Sequence, residues 1–260
     1  MPSTIPPLTG RCALLDIEGT LADIRFVYDV MFPYIREQVQ AYLQAHWGKT
    51  NLEPILDRLA IDGGFTEAQA PWRSAGMATV AAINSVTELV QRLMDSDSKT
   101  TGLKALQGVV WEAGFRSGKL RAEVFSDVVP AFERWRLAGV DMRIYSSGSI
   151  LAQKLFFGHT TQGDLTGFFR AHYDTTSGSK KEASSYLAIA HDIGVSPEQI
   201  VFFTDVLAEI QAAREAGLQV VACVRSNNVP LPSQYIAGQK VDGVWVTESL
   251  DAIDWTTLVA

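Results

Sequence analysis

Asp16 and Glu18 follow the apolar run Cys12-Ala13-Leu14-Leu15 and are themselves followed by Gly19-Thr20. Two carboxylates so close repel each other unless a cation or a shared proton intervenes, so the pair is costly for stability alone. A second apolar run, 200–203, ends at Thr204-Asp205 and offers a further carboxylate. The four histidines, His46, His159, His172 and His191, lack the spacing of zinc ligands. An oxygen-only set of Asp16, Glu18 and Asp205 selects a hard cation, with Mg2+ the expected ion. The plainer reading of Asp16 is a cap on the turn that follows it.

Ser146-Ser147-Gly148-Ser149 lies after the run 140–145 and before a helical pattern. Hydroxyls, a glycine that admits close backbone approach and a helix N-terminus together suit an anion such as phosphate; a simple capping turn is the alternative. Lys180 and Lys181 open another helical pattern, 181–192. Cations at a helix N-terminus are disfavoured, so Lys180 makes sense there if it neutralises a bound phosphate. Lys181 reads as a solvated surface residue. Glu209 lies one helical turn beyond Asp205 and could orient a metal site, pair with Lys180 or simply face water.

Other motifs fail. The segment Gly114-Phe115-Arg116-Ser117-Gly118-Lys119-Leu120 lacks the spacing and the Ser/Thr of a P-loop. Asp95-Ser96-Asp97 begins like a calcium loop, but Thr100 and Leu106 replace its glycine and terminal glutamate, and Asp97 reads instead as a cap for a helix from Lys99. No Gly-x-Ser-x-Gly elbow is present. Trp72, Trp111, Phe115 and Trp135 read as packing residues, with contact to an apolar substrate tail as the other reading.

The elements that must position these residues alternate. Short apolar runs at 12–15, 140–145, 200–203, 218–224 and 243–246 read as strands, and from residue 141 onward they alternate with helical patterns. That predicts an α/β fold with a Rossmann-like, doubly wound parallel sheet, whose ligands sit beyond the carboxyl ends of the strands. Ser196-Pro197-Glu198-Gln199 carries the residues of a helix start, and Gly217 ends the helix bearing Ala212 and Ala213. Between the first two strands the alternation stops, and 28–46, 53–60, 67–94 and 99–113 read as helices. The expected organisation is a core of 1–21 and 120–260 with a helical cap of 22–119 inserted after the first strand.

Composition narrows the class. The 260 residues are 47% hydrophobic and 20% charged, an ordinary globular balance. A net charge of −7 with no basic run longer than two residues argues against a nucleic-acid partner. No apolar stretch reaches the length of a membrane span, and residues 1–7 lack the basic and apolar regions of a secretory signal. Cys12 and Cys223 lie inside strand-like runs, as reduced structural thiols do, so a cytoplasmic protein is expected. A monomer is expected.

Asp16 to Thr20, Ser146-Ser147, Lys180, and Asp205 with Glu209 occur in the order of the four loops of the haloacid-dehalogenase-like superfamily of aspartyl phosphotransferases, which the chain resembles. The likeness narrows at Leu15-Asp16-Ile17-Glu18-Gly19-Thr20, Phe26-Val27-Tyr28-Asp29-Val30-Met31-Phe32-Pro33-Tyr34, Tyr145-Ser146-Ser147-Gly148-Ser149 and Gln153-Lys154-Leu155-Phe156-Phe157-Gly158. There, as in Asp97-Ser98-Lys99-Thr100-Thr101 and the stretch 174–180, it is similar to the acireductone synthases, bifunctional enolase-phosphatases of methionine salvage. Ser126 before Asp127, and Val224-Arg225-Ser226-Asn227, depart from that family's usual proline and Pro-Gly.

The resemblance implies specific roles. Asp16 would be nucleophile and metal ligand, Asp205 a second ligand, and Glu18 both acid–base and a ligand through its backbone carbonyl. Ser146, Ser147 and Lys180 would hold the phosphate, with Glu209 behind them. One Mg2+ per subunit and a small phosphorylated diketone, 2,3-diketo-5-methylthiopentyl 1-phosphate, are implied, and the helical cap would act as a lid. The competing expectation is a phosphatase of the same fold that acts on another small phosphomonoester without an enolase step.

Overall fold

The computed structural model describes residues 5–256, so the first four residues of the stretch read for a secretory signal lie outside the described residues. The chain forms two units. One runs to Val27 and resumes at Arg121, and the other is Tyr28–Leu120. The first unit keeps the chain beyond residue 21 because Phe125 N–H donates to the Leu21 carbonyl and the Phe26 ring meets Phe156 edge-on at 5.7 Å.

The first unit is built on seven strands: β1 (Cys12–Leu15), β2 (Asp141–Tyr145), β3 (Phe169–Tyr173), β4 (Ile200–Thr204), β5 (Gln219–Cys223), β6 (Lys240–Val241) and β7 (Val244–Thr247). They lie in the order β3-β2-β1-β4-β5-β7-β6, all parallel except the terminal β6–β7 pair. This is the expected α/β, doubly wound sheet. Its helices are α5 (Val128–Leu137), α6 (Ile150–Gly158), α7 (Ala183–Ile193) and α8 (Leu207–Glu215). Every residue of β1 and β4 is buried, because helices cover both faces of a parallel sheet. One face gathers Leu14, Tyr145, Tyr186, Ile189, Phe202 and Val220; on other buried positions Trp135 meets Phe203 at 5.3 Å.

Register fixes the site before any side chain is considered. Leu15 stands opposite Ile144 of β2 and Phe203 of β4, so Asp16, Tyr145 and Thr204 arrive level at one edge of the sheet. The strand order reverses between β1 and β4, where ligands bind in open sheets of this kind.

The second unit is helical: α1 (Phe32–His46), α2 (Glu53–Asp62), α3 (Thr79–Asp95) and α4 (Thr101–Arg116). Gly102 lets α4 lie directly on α2, since a Cβ there would overlap the backbone of Arg58 and Leu59. Leu103 N–H donates to Asp62 at 2.8 Å, and the Trp111 indole donates to the Met31 carbonyl at 2.9 Å. Trp72, Trp111 and Phe115 are buried within this unit and Trp135 within the other.

Four local expectations need correction. The stretch 67–94 is not one helix: two short 3-10 turns, Glu67–Gln69 and Pro71–Arg73, precede α3, because Pro71 has no N–H to continue a helix. Pro33 acts similarly near the start of α1, where a wider π-helical stretch, Phe26–Met31, leads into the α-helix. Asp97 does not cap α4. It takes a left-handed conformation (φ 49°) and pairs with Lys99, and Thr100 holds the cap position. Ser196 and Gln199 do form a capping box, but it opens a single 3-10 turn before β4.

Candidate active site

Asp16 leaves β1 with its N–H bonded to the Phe203 carbonyl, and its own carboxylate accepts from the Ile17 N–H at 2.9 Å. The chain then turns back: the N–H groups of Thr20, Leu21 and Ala22 all reach the Ile17 carbonyl. Gly19, at φ +73°, makes that turn, and a Cβ on it would overlap the Asp205 carboxylate. The glycine therefore brings the loops after β1 and β4 into contact.

Lys180 reaches this place by a different route than its position near a helix suggests. It lies in the turn ahead of α7, which begins only at Ala183. Tyr186 O–H donates to the Lys180 carbonyl at 2.6 Å, and Tyr145 O–H donates to the Gly178 carbonyl at 3.1 Å. With its backbone so held, the Lys180 side chain is 7% exposed and its ammonium lies 2.6 Å from Asp16 Oδ1 and 2.9 Å from Glu209 Oε2. It also lies 5.8 Å from the Tyr145 ring centroid and 5.7 Å from that of Phe202, within cation–π range. Glu209 thus does pair with Lys180, and it accepts a 2.7 Å bond from Thr204 Oγ1.

Charge is unbalanced here. Glu18 is half-buried, and loss of hydration first and Asp16 second hold its carboxyl above the usual range. The same two causes push Asp205 and Glu209 each up to about 7. Burial works to lower the Lys180 pKa, but Asp16 and Glu209 outweigh it and the ammonium stays charged. Four carboxyls from the two segments that follow β1 and β4 therefore crowd one lysine.

The serine loop joins from β2. Ser146 Oγ donates to Glu18 Oε2 at 3.1 Å and accepts from Gly148 N–H. Ser149 caps α6 through the Ala152 N–H, while the Ser147 side chain is exposed at the loop's tip. Gln153 holds the loop from below: its amide donates to the carbonyls of Gly148 and Tyr173 at 2.8 and 2.9 Å. Sequence reasoning missed Tyr145, Gln153 and Tyr186 as supports. They act on carbonyls, and only Gln153, a polar residue in the apolar run of α6, carried any signal.

A cation fits this donor set. Asp205 Oδ1 is buried with no hydrogen-bond partner among the described residues, so this oxygen has a lone pair free to meet a cation. Among the described residues no three His, Cys, Asp or Glu side chains cluster as a ligand set by themselves. Cys12 and Cys223 are buried and their thiols are pushed up to about 12, mainly by burial, so both stay protonated. Among the described residues no helix is long and apolar enough to cross a membrane.

A sequence profile of haloacid dehalogenase-like hydrolases matches residues 11–217. Enolase-phosphatase E1 of Danio rerio is 43% identical over 88% of this chain and 90% of its own length. The chain belongs to that hydrolase family, in its enolase-phosphatase E1 branch. Enolase-phosphatase E1 of Sorangium cellulosum is 40% identical over 91% of this chain and 98% of its own. Among solved structures, the UTR4 protein of Saccharomyces cerevisiae superposes with a TM-score of 0.74 at 30% identity, covering 93% of this chain and 98% of that one. The chain is a phosphatase, and its acid loop, serine loop, lysine and second acid loop meet beyond the carboxyl ends of β1, β2 and β4.

Proposed function

We propose that this enolase-phosphatase enolises 2,3-diketo-5-methylthiopentyl 1-phosphate and dephosphorylates it to 1,2-dihydroxy-3-keto-5-methylthiopentene, a step of methionine salvage. The observation that carries the reading is Glu18. It is a half-buried carboxyl beside the nucleophile candidate, bonded by Ser146 and biased toward its protonated form. Asp16 attacks phosphorus to form an aspartyl phosphate, and Lys180 leaves its ion pair with Asp16 to hold the phosphate oxygens, with Ser146 and Ser147. Glu18, when ionised, takes the C1 proton in enolisation and then gives it to the leaving oxygen as the aspartyl phosphate forms; water then hydrolyses that intermediate, releasing phosphate and restoring Asp16.

Mg2+ would be held by Asp16, Asp205 and the Glu18 carbonyl, and when bound it offsets the repulsion between carboxylate and phosphate and stabilises enolate charge. One ion per subunit, a monomer and a cytoplasmic setting complete the reading. The test is to incubate the protein with Mg2+ and the diketo phosphate, following enol absorbance and phosphate release together. Both signals are expected. Phosphate release with no enol signal would reduce the protein to a phosphatase of another small phosphomonoester.

A further inference from the structure

The segment after β5 bonds the acid loop at three points. Arg225 Nε and Nη2 donate to the Thr20 carbonyl at 3.2 and 3.0 Å. Asn227 Nδ2 donates to Asp23 at 2.6 Å, and Asn228 Nδ2 donates to the Gly19 carbonyl at 2.8 Å. The two carbonyls that follow Glu18 in the chain are therefore each held by a side chain from a single loop some two hundred residues away, at sequence separations of 205 and 209.

The arrangement is anchored from behind. Arg225 Nη1 pairs with Asp127 at 2.7 Å and with the Glu248 carbonyl, and the guanidinium lies 4.5 Å over the Phe125 ring. Asn228 also donates to the Cys223 carbonyl at the end of β5, which fixes its amide orientation. Its oxygen, Oδ1, consequently points away from both carbonyls, is buried and accepts from no donor among the described residues. A Cβ placed on Gly19 would touch that oxygen and the Asp205 carboxylate alike, so the two border one small space.

We propose that Arg225 and Asn228 are positioning residues that lock the Gly19-Thr20 backbone, so that Asp16, the Glu18 carbonyl and Asp205 keep a cation-binding arrangement before any cation arrives. The inference rests on the metal reading given above. Four acidic groups around one lysine tend to drift apart when no cation is bound. A covalent turn with a glycine at its centre cannot resist that alone. Two carbonyls tied to a buried guanidinium and a buried amide can, and a site held in shape loses less entropy on binding.

Mg2+ binding is measured by isothermal titration calorimetry with the metal alone, on the unsubstituted protein and on Asn228→Ala, Arg225→Lys and Ile189→Ala. Arg225→Lys keeps the charge beside Asp127 and so protects the fold, while losing the forked bond to Thr20. Ile189→Ala opens a cavity on α7 and serves as the purely destabilised control. Asn228→Ala should raise the Mg2+ Kd about tenfold and Arg225→Lys by a smaller factor, as expected for groups that orient metal ligands. In both, kcat should return toward the unsubstituted value at saturating Mg2+. Ile189→Ala should lower Tm and leave Kd unchanged. Kd values within twofold of the unsubstituted protein in both loop variants, or an equal rise in Ile189→Ala, would overturn the clamp. If the unsubstituted protein takes up no Mg2+, the metal reading itself falls and this inference with it.

Discussion

Two buried ion-pair clusters lie in the same unit, and they are built on opposite accounts of charge. Around Arg225 the charges match: Asp127 Oδ2 accepts from the guanidinium at 2.7 Å, from Ser249 Oγ at 3.0 Å and from the Leu250 N–H at 2.6 Å. Around Lys180, Asp16 and Glu209 compete for one ammonium while Glu18 and Asp205 press on them. A pair present only for the fold gains nothing from surplus negative charge, since each extra buried carboxylate adds desolvation and repulsion. Surplus at one cluster and balance at the other is what the proposed division, residues that act and residues that hold, requires.

The largest effect expected comes from breaking the surplus cluster at its centre. Asp16→Asn should cut phosphate release by at least about ten thousandfold, as removal of a nucleophile does, while Tm holds or rises because one of four competing charges is gone. A clear fall in Tm would make Asp16 a structural ion-pair partner instead. Lys180→Ala should follow, with kcat/KM reduced about a thousandfold, in line with losing a main anion-stabilising donor. Steady-state kinetics on a phosphomonoester reads both.

Asp127→Ala tests the balanced cluster. It leaves Arg225 buried without its partner and should cost about 3–5 kcal/mol in urea unfolding. A loss below ~1 kcal/mol would erase the distinction between the two clusters.

A smaller effect concerns pH. Asp205 and Glu209 are each pushed up to about 7, by burial first and Asp16 second. A carboxyl that binds its proton more tightly in the folded state adds stability below its unfolded value and loses it as pH rises through the folded one. For these two the loss spans from the ordinary values, 3.8 and 4.5, to about 7. Mg2+ should therefore recover more at pH 8 than at pH 5.5, with its shift in Tm larger by about 5 °C in differential scanning fluorimetry. Equal shifts at the two pH values would mean these carboxyls do not face the ion. Lys181→Ala, at the exposed neighbour of Lys180, should change stability by no more than about 0.5 kcal/mol and kcat/KM by less than a few-fold.

What could be read from the sequence was whatever carries chemistry in its side-chain type. Asp16, Glu18, Lys180 and Asp205 stood out because acids and lysines at strand or helix ends need a reason. β3 escaped notice because it is an edge strand of the sheet, and Phe169-Arg170-Ala171-His172-Tyr173 has one buried residue where a central strand would show a run. The interruption at Pro71 was hidden by apolar residues that keep helical spacing across it. Arg225, Asn228, Tyr186 and Gln153 left almost no trace, because a side chain that grips a distant carbonyl follows no period and needs no neighbour of a given type.

The placement of the Lys180 ammonium has one more consequence, and it concerns timing. A lysine that waited in water would have to shed its hydration each time a phosphate came in. Here the shedding happens once, when the chain folds, because Asp16 and Glu209 already stand where solvent would be. In the proposed reaction an arriving phosphate would exchange one anion for another around a cation that is already dry. Affinity for the phosphoryl group should accordingly depend little on ionic strength, since no exposed, screened charge is being recruited.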